Sequence, residues 1–244
     1  MALPSLRGVL TPRTSLFLDF DGTLASLADD PASVHLPDGG GALLLRLGAR
    51  LSGALAVVSG RDVRDLARRT PGGIWRAGNH GDLIMAPGAA EPAIVGAPPA
   101  DLVAGIERCI APHPGVRLER KARVLAVHTR LARAHHADVS ACLGQLAGAW
   151  PDYRLQRGKD IIEFKPDGVH KGAAIERLMA LAPFSGRSPL FIGDDTTDED
   201  GFRVALALNG SAIKVGEGDT LAPHRLSGPT EVWQFLEEAE NDLT

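Results

Sequence analysis

Leu16-Phe17-Leu18-Asp19-Phe20-Asp21-Gly22-Thr23 is the stretch on which the reading of the chain turns. Three apolar residues run straight into an aspartate, and an Asp-Gly turn follows. A short, continuous apolar run bounded by a turn reads as a strand buried on both faces. Such strands belong to parallel sheets. A carboxylate inside that run is costly unless a charged partner meets it. Alternate side chains of a strand share a face, so Asp19 and Asp21 point the same way, toward one spot at the carboxyl end of the strand. Two carboxylates aimed at one spot repel unless a cation lies between them or one keeps a proton. The plain alternative is an Asp-Gly turn in which Asp19 acts as a cap.

Asp38 to Arg50 carries Leu43, Leu44 and Leu47 at helical spacing, with Asp38 as the expected N-cap. Ala54 to Val58 reads as a second buried strand closed by Ser59-Gly60. Val63, Leu66 and Ala67 mark a helix, and Ile74 to Ala77 a third strand. This β-α-β-α-β order predicts an α/β fold with a parallel sheet covered by helices on both faces. The rhythm breaks at Pro87 to Pro99, an Ala-, Pro- and Gly-rich linker. A helix over Asp101–Ile110, paired strands over Val116–Leu118 and Val124–Thr129, a helix over Ala134–Trp150 and strands over Tyr153–Gln156 and Ile161–Phe164 follow. We read this α-β-β-α-β-β block as a small α+β domain inserted into the first. After Pro166 the β-α rhythm resumes. Helices are expected over Lys171–Leu181, Asp198–Leu206 and Thr230–Ala239, with strands over Pro189–Ile192 and Ala212–Val215.

The 244 residues allow one large domain or two small ones. Apolar residues at 44% and charged residues at 23% are globular values, which excludes a disordered chain, a coiled coil or a collagen. The net charge of −4 gives no field to hold a polyanion, and 5% aromatics offer few stacking platforms, so nucleic acid is not an expected partner. No apolar run of signal-peptide length precedes Ser15, and none approaches the ~18–20 residues of a membrane span. A cytoplasmic protein is expected, and a monomer is compatible with it. Cys109 and Cys142 are expected there as reduced thiols, although a single bond between them is arithmetically possible.

Four features carry chemistry. Gly22-Thr23 follows the aspartate pair and lets backbone N–H groups approach an anion closely, or is a plain turn. Ser59 ends a strand ahead of a helix, where a hydroxyl meets a phosphate oxygen or caps the helix. Lys171 opens a helix, where its charge opposes the macrodipole; it suits a phosphate, or is a solvated lysine. Gly193-Asp194-Asp195-Thr196-Thr197-Asp198-Glu199 places four acids within six residues of a strand end, a composition that calls for a hard cation. Capping explains Asp198 and Glu199 but not Asp194 and Asp195. All four features fall on the carboxyl edge of a parallel sheet, where such folds bind ligands. Together they describe a phosphoryl-transfer site: carboxylates for Mg²⁺, a hydroxyl and a lysine for the phosphate, and one carboxylate as nucleophile. No Gly-x-x-x-x-Gly-Lys loop supports a kinase.

Asp19-Phe20-Asp21-Gly22-Thr23-Leu24, Ser59, Lys171 and Gly193-Asp194-Asp195 resemble the four motifs of the haloacid dehalogenase superfamily. Val58-Ser59-Gly60-Arg61, Ala77-Gly78-Asn79-His80-Gly81, Glu119-Arg120-Lys121, Val127-His128-Thr129-Arg130 and Ile162-Glu163-Phe164-Lys165-Pro166 are similar to its trehalose-6-phosphate phosphatase branch. The likeness runs from about residue 16 to residue 216. It implies a Rossmann-like core of residues 1–83 and 164–244, with a cap of residues 84–163 over the active site. It also implies that Asp19 attacks phosphorus, and that Asp21 first protonates the leaving sugar oxygen and then deprotonates water. Mg²⁺ is implied on Asp19, the backbone carbonyl of Asp21 and Asp194, with Asp198 or Asp195 in the outer shell. Ser59 and Lys171 would clamp the phosphate beside Gly22, Thr23 and Gly60. Arg61, Asn79 and His80 would line the cleft, and Glu119, Lys121 and Glu163 would hold sugar hydroxyls. Those three charges, on short strands, could equally face water.

Two positions depart from the branch's pattern: Leu83 stands where a glutamate is common, and Thr129 where a tyrosine is usual. Both bear on the sugar rather than on the phosphoryl chemistry. A phosphatase for another sugar phosphate, of the glycosyl-phosphoglycerate type, is therefore the alternative enzyme. A catalytically silent sugar-phosphate-binding module is the alternative from another class.

Overall fold

In the computed structural model, strands β1 (Thr14–Leu18), β2 (Leu55–Val58), β3 (Trp75–Gly78) and β4 (Leu83–Met85) come first, with helices α1 (Gly40–Arg50) and α2 (Val63–Arg69) between them. The inserted block holds α3 (Ala100–Ile110), β5 (Arg117–Lys121), β6 (Val124–His128), α4 (His136–Ala147), β7 (Tyr153–Arg157) and β8 (Ile161–Pro166). The chain ends with α5 (Lys171–Met179), β9 (Ser188–Gly193), α6 (Glu199–Ala207), β10 (Ser211–Val215), β11 (His224–Leu226) and α7 (Pro229–Asp242). The structure describes residue 6 and residues 8–28, 30–92 and 96–243; the middle of the expected linker, residues 93–95, lies outside them.

One compact unit comprises residues 1–93 and 170–244, and a second comprises residues 94–169. The divisions fall later than the expected 83/84 and 163/164. The reason is pairing: β4 is hydrogen-bonded to β3, and β8 stays in the second unit's sheet as far as Pro166.

Among the described residues of the first unit, seven strands lie in the order β11-β10-β9-β1-β2-β3-β4, all parallel except β4. β1 is buried along its whole length, as its apolar run requires. The chain leaves β1 toward β2 and β3 on one side, and β9, β10 and β11 extend the sheet on the other. The order thus reverses at β1, and right-handed crossovers running in opposite directions place α1 and α6 on opposite faces. Phe184 closes the end of this core, stacked on Phe17 at 5.3 Å between ring centroids and met edge-on by Trp75 at 5.7 Å. Each fully buried side chain of this size stabilises by roughly 1.5–3 kcal/mol.

Asp38 does not cap α1. Gly39, at φ 80°, occupies the N-cap position without a side-chain bond, so the helix begins one residue later than expected. The edge strands β4 and β11 were not expected from sequence, each being three residues long.

The second unit is a four-stranded antiparallel sheet in the order β5-β6-β8-β7, with α3 and α4 packed together. Leu125 and Val127 of β6 and Ile162 and Phe164 of β8 alternate into a core with Leu102, Ile106, Val139 and Leu143 of the helices. Cys109 and Cys142 are not the reduced thiols expected. Cys109 of α3 and Cys142 of α4 form a disulfide, with Cα atoms 5.8 Å apart, because the packing of the two helices brings the positions side by side. We predict that purified protein, denatured without reductant, exposes no free thiol. Cys142→Ala should cost roughly 2–5 kcal/mol in the second unit. Thiol titration and urea unfolding measure both, and two titratable thiols before reduction would refute the bond.

Candidate active site

β1 ends at Leu18, so Asp19 is the first residue beyond the strand, its N–H still donating to the Ile192 carbonyl at 2.9 Å. The chain then turns: Phe20 accepts from the N–H groups of Leu24 and Ala25, and Gly22 donates to the Ala25 carbonyl. β1 stops before either residue, so strand alternation does not set the directions of Asp19 and Asp21. Asp19 is buried, and its carboxylate joins those of Asp194 and Asp198, with ligand oxygens all within 4.8 Å of one another. The Asp21 carboxylate instead accepts two hydrogen bonds from Arg61, from Nε at 2.7 Å and from the terminal nitrogen at 2.6 Å.

Lys171 is the first residue of α5, whose N-cap is the His170 ring, accepting from the Ala173 N–H. Its ammonium lies 2.7 Å from Asp19 Oδ1 and 2.6 Å from Asp198 Oδ1, with all three side chains at most 5% exposed. The solvated-lysine alternative is thereby excluded. Burial alone would push the Lys171 ammonium down, but the two carboxylates outweigh it and hold it well above the usual lysine value. Burial raises the Asp19 carboxyl, Lys171 pulls it back, and the neighbouring Asp198 and Asp194 add to the rise. Burial likewise raises Asp194.

Asp198 also accepts from the N–H groups of Asp194 and Asp195 at 3.0 and 2.9 Å, which fixes the loop after β9. The Asp195 side chain turns away from the three acids: it caps the next turn, accepting from the Thr196 N–H. Of the five expected metal-site aspartates, the structure thus gathers the carboxylates of Asp19, Asp194 and Asp198. Three carboxylates around one point are hard oxygen donors, which fit a divalent cation. Gly22, at φ 78°, permits this approach, since a Cβ there would lie 2.1 Å from Asp194 Oδ2. Thr23, buried, donates to Asp194 Oδ1 at 3.3 Å. A cavity of about 370 Å³ opens beside Gly22 and Asp194.

Ser59 lies buried just past β2 and accepts from the Arg61 N–H at 3.1 Å. It does not cap α2, because Asp62 does so through the Arg64 N–H. Gly60 packs against the His80 ring. Asn79 is buried; its side chain accepts from the Val63 N–H at 2.9 Å, and its own N–H donates to the Arg61 carbonyl at 2.7 Å. Asn79 and His80 both take φ near +55°, a left-handed conformation that costs about 1–3 kcal/mol per residue and clusters at functional sites.

Within the second unit, Glu119 pairs with Ala126, Ala126 with Glu163, and Glu163 with Gln156, so these residues form one row across the sheet, on the face opposite the apolar core. Lys121 lies 3.7 Å from Glu119 and 4.0 Å from Glu163. His128 meets Glu119 at 2.7 Å and, with Lys121, holds its carboxyl below the usual value against the effect of burial. Lys165 lies 3.1 Å from Glu163. Leu83 is buried in β4, and the Thr129 hydroxyl is bonded to His136 Nδ1 at 2.8 Å.

Sequence reasoning missed Lys214, a buried lysine of β10 whose ammonium donates to the Asp194 carbonyl. A lone lysine within the apolar run Ala212-Ile213-Lys214-Val215 was the available signal. We predict that, in metal-free protein at pH 7, Lys171→Met destabilises by roughly 3–5 kcal/mol, because it leaves two buried carboxylates without a counter-charge. Urea unfolding with a chelator present measures this. A loss below about 1 kcal/mol would mean that Asp19 and Asp198 are not both ionised around the lysine.

Residues 17–225 match the family model described as trehalose-phosphatase. A trehalose-6-phosphate phosphatase of Escherichia coli (strain K12) is 39% identical over 236 residues, covering 93% of this chain and 87% of that one. A crystal structure titled as a trehalose-6-phosphate phosphatase related protein superposes with a TM-score of 0.72 at 26% identity, covering 93% of this chain and 96% of that one. A haloacid dehalogenase-like hydrolase from Bacteroides thetaiotaomicron superposes with a TM-score of 0.70 at 15% identity over 94% of this chain and 99% of that one, a likeness of fold. A buried aspartate at the switch point of a parallel sheet, paired with a lysine and grouped with two further acids, thus sits in a chain that belongs to the trehalose-phosphatase family.

Proposed function

We propose that this chain hydrolyses trehalose 6-phosphate to trehalose and inorganic phosphate, the last step of trehalose synthesis, with Mg²⁺ as cofactor. The observation that carries the reading is Asp19: a buried carboxylate at the end of β1, 2.7 Å from the Lys171 ammonium and grouped with Asp194 and Asp198. Asp19 attacks phosphorus, and the bond from phosphorus to the sugar oxygen breaks while Asp21, entering the step in its protonated form, delivers its proton to that oxygen. Asp21 then takes a proton from the attacking water, which releases phosphate and restores the Asp19 carboxylate. Ser59, Lys171 and the backbone at Gly22, Thr23 and Gly60 bind the phosphoryl oxygens. Asp19, the Asp21 carbonyl and Asp194 would hold the metal, with Asp198 close by; the charge it would supply there would offset that of the carboxylates and the phosphoryl oxygens.

Glu119, Lys121 and Glu163 bind sugar hydroxyls in this reading, supported by their common face and by the near burial of Glu163. Arg61, Asn79 and His80 complete the substrate-binding set. The second reading, a phosphatase for a different sugar phosphate, is favoured by Leu83 and Thr129, which are engaged in packing and in a bond to His136. The reading places the enzyme in the cytoplasm, a compartment that ordinarily keeps thiols reduced, so the Cys109–Cys142 bond would be an exception there. Trapping thiols at lysis distinguishes that compartment from an oxidising one.

A phosphate-release panel tests the function: trehalose 6-phosphate, glucose 6-phosphate, sucrose 6-phosphate and a glycosyl-phosphoglycerate, with Mg²⁺ and with chelator. Trehalose 6-phosphate should be preferred, chelator should abolish release, and Asp19→Asn should abolish both turnover and the trapped phosphoenzyme. A tenth of wild-type kcat remaining in Asp19→Asn would remove it as nucleophile. Glu119→Ala should lower kcat/KM for trehalose 6-phosphate roughly 10–150-fold, the loss of charged hydrogen bonds, and leave a small aryl phosphate nearly unchanged. If both substrates respond alike, Glu119 does not select the sugar.

A further inference from the structure

Arg61 is held on every side. Its Nε and one terminal nitrogen donate to the two oxygens of Asp21 at 2.7 and 2.6 Å. Its other terminal nitrogen donates to the Pro31 carbonyl and to Asp65 Oδ2, both at 3.0 Å. The guanidinium lies over the Phe20 ring, 5.4 Å from the centroid. Its backbone is bonded to Ser59 and Asn79, as described above. A planar fork with its donors fixed at both ends transmits position. Where the guanidinium goes, the Asp21 carboxylate follows.

Asp65 is the anchor of the far end. It lies on α2 and also accepts from Arg69 Nε at 2.9 Å and from Arg68 at 3.3 Å. Arg69 in turn donates to the carbonyls of Ala32 and Val34. Asp65 therefore ties the helix and the segment around Ala32 to Arg61. Burial alone would raise its carboxyl, but the bonds from Arg69 and Arg61 outweigh it and bring the value to about 2. The carboxylate is thus charged under all working conditions, and three arginines hold it in place.

We propose that Asp65 is a positioning residue for phosphoryl transfer, acting through Arg61 to set the Asp21 carboxylate where the leaving oxygen receives its proton. The proposal rests on the assignment of Asp21 as proton donor. It makes α2 part of the catalytic geometry, although Asp65 touches neither Asp21 nor Asp19.

The consequence separates positioning from mere structure. A sugar alkoxide leaves with difficulty and needs the proton, whereas an aryl phosphate leaves as a stable phenolate and needs it much less. Asp65→Ala should lower kcat for the best sugar phosphate of the panel roughly tenfold, the order of losing one charge-assisted bond that orients a proton donor, with KM within about twofold. For an aryl phosphate the fall should be no more than about twofold. Asp65→Asn, which keeps the shape and one acceptor, should show the same selectivity at smaller size and serves if the alanine variant does not fold. Asp65→Glu, which restores the charge, should recover part of the lost kcat. Asp21→Asn is measured alongside. If Asp21→Asn slows the sugar phosphate selectively but the Asp65 variants slow both substrates equally, or neither, the positioning role is overturned and Asp21 remains the donor. If Asp21→Asn itself shows no selectivity, the assignment of Asp21 fails, and the proposal fails with it.

Discussion

An ammonium buried between two carboxylates constrains everything else in the first unit. Lys171, Asp19 and Asp198 come from three places in the chain, yet the ammonium lies within 2.7 Å of both carboxylates with almost no exposure to water. Removing such charges from solvent costs several kcal/mol each, so the cluster persists only with its geometry intact. The parallel sheet supplies that geometry. β1 and β9 are adjacent, and their carboxyl ends deliver Asp19 and the loop of Asp194 to Asp198 to one point. Lys171 arrives as the first residue of α5. With Asp194 the cluster holds three carboxylates against the one ammonium within it, an excess of negative charge suited to a divalent cation.

Much of this was legible in the sequence, and the physical reason is burial. Strands covered on both faces have to be apolar throughout, so a charged residue just after one stands out, and Asp19, Ser59 and the acids after Ile192 were found that way. Lys171 was found because a lysine at a helix start has no stabilising purpose there. What stayed hidden depended on direction and on short elements. Period-2 alternation applies only inside a strand, and β1 stops at Leu18, so sequence could not tell that Asp21 turns to Arg61 while Asp19 turns inward. Asp195 and Asp198 look alike as neighbours of a helix start; only the loop decides that one caps a turn and the other joins the cluster. Three-residue strands such as β4 and β11 carry too few residues to show a period. The Cys109–Cys142 bond follows from helix packing, which spacing in the chain does not encode.

The second unit solves a different problem with the same alternation. One face of its sheet is apolar and carries α3 and α4; the other carries Glu119, Lys121, Glu163 and Lys165. Opposite charges alternate on that face, so each carboxylate has a cation near it, and the small Ala126 separates Glu119 from Glu163 in the row. Such a surface keeps its charged groups fixed and mutually satisfied.

The central pairing of β1 with β9 joins Thr14 to Ser188, while the 94–169 unit lies between them in the chain. On a ribosome the first four strands emerge long before the partner that covers one edge of β1. The 94–169 unit, whose strand pairs are all formed within a contiguous stretch, can close as soon as it emerges. The sheet of the first unit cannot, and its loop closure spans an already folded body. Non-local pairing of this kind slows folding and leaves an apolar strand edge exposed meanwhile. The same topology that brings distant aspartates and a lysine to one point thus sets the order of assembly: inserted body first, catalytic sheet last.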